Sequence, residues 1–221
     1  MDLEKDITKA ALAYLKKNQN GFLEHYTRQI LPSSQRRAFF TAGMSGAGKT
    51  ELAISLKEKD STLLHIDTDD IRDFFKPIGY DGSNSDLYQK AASRGFGKLF
   101  DYAIRQGFSL IMDSNLAYEK IAIQNIERLL KRSYHVEIYY LYDDPVKCYE
   151  YAVRREMVTH RKVSEDVLWR TNVGSYRTVI EIKKMYQEKI ILNFIDRQNE
   201  KVYDNISFDT LIKLVGDEFD I

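Results

Sequence analysis

The chain has 221 residues, with 33 Lys and Arg balanced by 33 Asp and Glu, and one cysteine. Its 43% hydrophobic and 12% aromatic content can fill the core of one large domain, which excludes a disordered chain. Zero net charge disfavours a bulk grip on long nucleic acid or an anionic membrane, and one cysteine rules out an intrachain disulfide framework.

In chain order, apolar residues at helical spacing predict a helix over about 3–18. The N-terminus is charged from its second residue and lacks the apolar stretch of a secretory signal. No apolar run is long enough to span a bilayer, so a cytoplasmic protein with no membrane partner is expected. A short buried-type strand follows at 38–42, then a loop and a helix over about 49–58. Residues 63–66 read as a second strand, with helical pattern near 69–75 and again over 86–106. The turn-rich stretch 77–85 between them is too short for a domain linker. Strands at 108–112, 136–141 and 190–195 alternate with helices over about 121–130, 145–159 and from 164 onward, and a last helix is predicted over 206–216. Asp144 before Pro145 is an N-cap followed by proline at the first helical position, and Ser164 caps the next helix. Strands separated by helices imply βαβ units: an α/β fold with a doubly wound, mostly parallel sheet flanked by helices.

The balanced charge is segregated. Residues 60–90 hold seven Asp and three Lys or Arg, whereas 145–177 hold seven Lys or Arg and four acids. Such stretches can be solvated faces, but brought together they suit metal-assisted phosphate chemistry.

Gly43-Met44-Ser45-Gly46-Ala47-Gly48-Lys49-Thr50 matches G-x-x-x-x-G-K-[ST]. In this pattern backbone N–H groups curl around phosphate oxygens, Lys49 adds a positive charge and the Thr50 hydroxyl ligates Mg2+. The following helix points its positive end at the same anion. The motif follows an apolar strand and precedes a helix, as its mechanism requires, so a P-loop fold binding ATP or GTP is expected.

No base-reading N/T-K-x-D, transporter signature or strand ending in Asp-Glu points to a G-protein, a transporter or a motor. Instead, Ile66-Asp67-Thr68-Asp69-Asp70 follows the second strand. Strand C-termini face the ligand crevice in a doubly wound sheet. Asp69 there can take a proton from an attacking hydroxyl, with Asp67 on the substrate side. This layout belongs to small-molecule kinases, although Asp67 or Asp70 can simply cap the helix beginning near 69. Asp113 and Asn115 end the third strand as further substrate-side candidates. Arg154 and Arg161, seven apart, share a helix face if the helix persists, and can clamp the β/γ-phosphates; Arg155 reads as part of a solvated face. His65, within an apolar strand, reads as a core residue.

These residues resemble the zeta toxin family of P-loop kinases over about 39–197, through FFTAGMSGAGKT, HIDTDDIR, QGFSLIMDSN, SYHVEIYYLYDDP and VRRE…HRKVSED. The resemblance implies a kinase core over 37–197, a helical extension over 1–36 and a C-terminal segment over 198–221. It implies phosphorylation of a nucleotide-sugar hydroxyl, typically on UDP-N-acetylglucosamine, and an antitoxin protein as partner. Under it the base is Asp69, the phosphate lysine is Lys49 and the arginines are Arg154 and Arg161. Two departures bear on the acceptor. Asp113-Ser114-Asn115 stands where the family commonly has Glu-Gly-Thr, and Gly97 stands where it has a carboxylate, for which Asp101 is a substitute. A nucleoside or polynucleotide kinase, another small-molecule kinase and a non-catalytic nucleotide-binding partner module remain the alternatives.

Overall fold

The computed structural model describes residues 2–159 and 164–216. Among them the strands are β1 (Arg37–Ala42), β2 (Leu64–Asp67), β3 (Leu110–Asp113), β4 (His135–Tyr142), β5 (Ile190–Asp196) and β6 (Lys201–Tyr203). The longer helices are α1 (Asp2–Lys17), α2 (Gln19–Thr27), α3 (Lys49–Lys59), α4 (Thr68–Asp73), α5 (Ser85–Gln106), α6 (Glu119–Leu130), α7 (Pro145–Thr159), α8 (Glu165–Tyr186) and α9 (Phe208–Val215). One sheet runs β2-β3-β1-β4-β5-β6, parallel throughout except for the antiparallel edge pair β5–β6.

Two elements differ from the sequence expectation. Helix α2 was not expected; its apolar residues Phe22 and Leu23 are too few to set a helical period. Strand β6 has three residues, too short for a period-2 signal. The expected caps form: Asp144 Oδ1 accepts the N–H groups of Val146 (2.8 Å) and Lys147 (3.1 Å), and Ser164 Oγ accepts that of Val167.

Alternating strand residues fill the two sides of the sheet. Ala38, Phe40 and Ala42 of β1 join Leu64, Ile66, Leu110, Met112, Ile138 and Phe194 in the main core. Phe39 faces the other way, against Ala53 of α3, Leu63 and Ile111. Burial on both sides is why the strands read as near-continuous apolar runs. Ala11 and Leu15 of α1 and Phe22 of α2 sit in the same main core, so the N-terminal helices pack with the sheet. At Gly95 on α5, an added Cβ would lie 2.9 Å from Ile71 of α4 and 3.1 Å from Phe22. Three helices therefore meet at a glycine, which fixes α4 closely against α5.

Candidate functional site

Strand β1 lies between β3 and β4, so the chain leaves its C-terminal end at the point where strand order diverges, the expected place for a ligand crevice. The loop Gly43–Thr50 begins there. Its first N–H is accepted by Ser175 Oγ of α8 at 2.7 Å, and Arg197 Nη1, just beyond β5, donates to the Ala47 carbonyl at 3.1 Å. Gly46 has φ +92°, and a Cβ there would lie 2.2 Å from the Cys148 carbonyl oxygen. Only glycine fits between the loop and the first turn of α7. Lys49 Nζ donates to the Met44 carbonyl at 2.7 Å. Burial pushes its ammonium down to about 8, with Asp113 opposing and Arg155 reinforcing the change.

The acids come from the ends of β2 and β3. Asp67 accepts the Asp69 N–H at 3.0 Å and so caps α4. Burial first, and then the charge of Asp69, push Asp67 up to about 7. Asp69 is tied to Arg72, one helical turn on, and Arg72 is in turn bonded to Gln89 of α5. Asp113 Oδ1 accepts the Thr41 hydroxyl at 2.9 Å; its Oδ2 lies 3.4 Å from His65 Nε2 and makes no hydrogen bond. Burial works against the Asp113 charge, but His65, Thr41 and Lys49 outweigh it and hold the carboxyl below its usual range. His65 is more than a core residue: its Nδ1 also lies 3.9 Å from Asp70, so it links two acids behind the crevice. Burial opposes its charge, yet Asp113, Asp67 and Asp70 raise its pKa.

The basic segment is placed differently from expectation. Arg155 lines the crevice. Arg154 is not among the lining residues; its side chain is 70% exposed, 3.8 Å from Glu150 and stacked over Tyr151. Arg161 lies outside the described residues. Asp101, the expected substitute at Gly97, pairs with Arg128 of α6 at 2.6 Å, outside the crevice. Asp86 of the same helix α5 does line it.

The crevice is a single cavity of about 1220 Å³. That exceeds the roughly 300–1,000 Å³ that holds one drug-sized ligand and leaves room for two substrates. It brings together Ser45, Gly46, Gly48, Lys49, Thr50, Asp67, Asp69, Asp113 and Asn115, while Gly43, Met44 and Ala47 are buried in the loop behind. The Thr50 hydroxyl and the Asp113 carboxylate are hard oxygen donors lining the cavity, and that donor set fits Mg2+. Among the described residues no three His, Cys, Asp or Glu form a metal cage; a Mg2+ held mainly by phosphates and water needs none.

Among the lining residues that the sequence did not single out are Arg72, Gln89, Arg170 and Arg197. Arg197 carried a signal, since it follows the end of a parallel strand.

The Zeta toxin family profile matches residues 23–207. Among solved structures, the PezAT chromosomal toxin–antitoxin system of Streptococcus pneumoniae superposes with a TM-score of 0.67 at 20% identity, covering 95% of this chain and 87% of that one. The AvrRxo1-ORF1:AvrRxo1-ORF2 structure with ATP gives 0.59 at 13% identity, over 92% of this chain and 64% of that one. A protein of Chloroflexus aurantiacus described as a candidate kinase gives 0.55 at 16%, over 83% and 96%. No curated protein matches the chain significantly. At these identities the solved structures carry the fold alone.

Proposed function

Because the chain belongs to the Zeta toxin family, we propose that it moves the γ-phosphoryl group of ATP or GTP to a hydroxyl of a nucleotide-sugar, UDP-N-acetylglucosamine first among candidates, and acts as a toxin restrained by an antitoxin protein. One observation carries this reading: Lys49, Thr50 and Asp69 line the same two-substrate cavity. Thr50 and Asp113 would hold Mg2+, which neutralises phosphate charge when bound. Lys49 holds the outer phosphates. Asp69 accepts the proton of the attacking hydroxyl, and Asp67 and Asn115 orient the acceptor. Arg155, with Arg161 of the same basic segment, supplies guanidinium charge to the transferring group.

The β2/β3 side of the cavity favours a second reading for the acceptor. Ser93, Asn115 and Asn125 there are uncharged hydrogen-bonding groups, which suit a neutral polyhydroxylated molecule such as a nucleoside. One experiment tests both. The protein is incubated with ATP, Mg2+ and either UDP-N-acetylglucosamine or a nucleoside set, and products are read by mass for one added phosphate. The proposal expects a phosphorylated nucleotide-sugar, and Asp69→Ala is expected to lower transfer about a hundred- to ten-thousandfold while still binding ATP. Full transfer by that variant would reject Asp69 as the base, and a nucleoside product alone would favour the second reading.

A further inference from the structure

We infer that Arg72 is a positioning residue for Asp69, its buried guanidinium holding the carboxylate at the rim of the cavity through an ion pair anchored on Gln89. The inference rests on the reading of Asp69 as the base, and it concerns what makes that base usable.

Arg72 is only 2% exposed, and it is the largest of the fully buried side chains. Charged side chains are almost never buried to this degree unless they are paired. Its Nη1 binds Asp69 Oδ1 and its Nη2 binds the Gln89 side-chain carbonyl. The planar fork of a guanidinium holds two acceptors in fixed relative geometry, which an ammonium cannot do. Gln89 belongs to α5, and α5 is packed against α4 at the glycine contact of Gly95 with Ile71. Arg72 therefore transmits the position of the α5 scaffold to the carboxylate of a short, six-residue helix.

The setting explains why such a tether is needed. Asp67, Asp70 and Asp73 crowd the same short segment, and Asp113 faces it from β3. Like charges at this density push one another apart. Asp69 is the acid the guanidinium grips, and its side chain remains 36% exposed on the cavity side. The grip comes from behind, so a carboxylate edge stays available to a substrate hydroxyl. A displacement of about 1 Å at such a group can cost about a hundredfold in rate.

The test uses the full chain and steady-state kinetics of phosphoryl transfer. Arg72→Met keeps the packing volume and removes the charge; kcat is expected to fall about a hundredfold with KM for ATP within about twofold. Arg72→Lys restores the charge without the fork, and it is expected to recover to about a tenth of the original kcat. Near-original kcat in Arg72→Met overturns the proposal. So does equal loss in the Met and Lys variants that follows their loss of Tm. If Arg72→Met does not fold, Gln89→Leu decides, because Gln89 is exposed on α5 and lies outside the core. That variant is expected to lose about tenfold in kcat with unchanged Tm; unchanged kcat overturns the anchor. Asp69→Ala run in parallel separates the layers: full transfer by that variant removes the base reading and this inference with it, whereas a dead Asp69→Ala with an unaffected Arg72→Met removes this inference alone.

Discussion

The acidic wall of the cavity is tied down, whereas the basic wall stands in solvent. On the acidic side Asp67 caps a helix, Asp69 is held by a buried arginine, and Asp113 is bonded to Thr41 beneath the P-loop. On the basic side Arg155 and Arg170 are exposed along α7 and α8. The contrast separates two tasks. A base must be aimed to within a fraction of an ångström, which requires a rigid setting. Cations that neutralise a mobile triphosphate can be brought in by long side chains. Lys49 belongs to neither wall: it is fixed on the loop and poorly solvated.

Removing Lys49 should have the largest effect and would break the comparison if it did not. Lys49→Met is expected to lower transfer about a hundredfold or more and to weaken ATP binding. The pH dependence sharpens this. Burial lowers Lys49 to about 8, so below that pH it is charged and binds phosphate, and above it the charge is lost. ATP affinity, measured by titration at fixed ionic strength, is expected to fall about tenfold from pH 7 to pH 9. In Lys49→Arg that fall should vanish, because arginine does not deprotonate in this range. Equal slopes in the two proteins would reject Lys49 as the titrating cation.

A smaller effect divides the basic wall. Arg155→Ala is expected to lower kcat about a hundredfold, since Arg155 lines the cavity and its charge is felt at Lys49. Arg154→Ala is expected to change kcat less than about threefold, because its exposed pairing with Glu150 is worth only about 0–1 kcal/mol. The reverse result, read by steady-state kinetics, would restore the assignment that spacing to Arg161 favoured.

That pair of arginines shows where sequence reading stops. The P-loop, the alternation of strands and helices and the acids at strand ends were legible, because each depends on local pattern or local backbone chemistry. The inward face of α7 depends on what the helix packs against. Cys148 and Ala152 turn out to be buried with Met44 and Ala47 of the P-loop. Arg155, three residues after Ala152 and seven after Cys148, lies on that stripe, while Glu150, Tyr151 and Arg154 meet one another beside it. Arg72 was hidden by a general rule: a charged residue in an acidic stretch is assigned to solvent until a partner such as Gln89, seventeen residues away, is known. His65 was hidden likewise, since its acidic neighbours come from the adjacent strand β3 and the next helix.

The last expected effect is on stability rather than rate, and it tests whether the acidic wall is strained. Burial and the charge of Asp69 raise Asp67 to about 7, well above the ordinary aspartate value of about 3.9. The folded protein therefore keeps a proton that the unfolded chain releases. The stability this lends is complete below about pH 4 and is lost as pH rises through 7, where Asp67 must carry its charge among other acids. Asp67→Asn removes that charge and still offers an oxygen to the Asp69 N–H, so the cap survives. The variant's stability advantage over the original protein should grow by about 2–3 kcal/mol from pH 5 to pH 8, because each pH unit between the unfolded and folded values costs the original protein about 1.4 kcal/mol. An equal difference at both pH values would mean that Asp67 titrates normally. The acidic wall would then hold its charges without strain, and the tether on Asp69 would be its sole special arrangement.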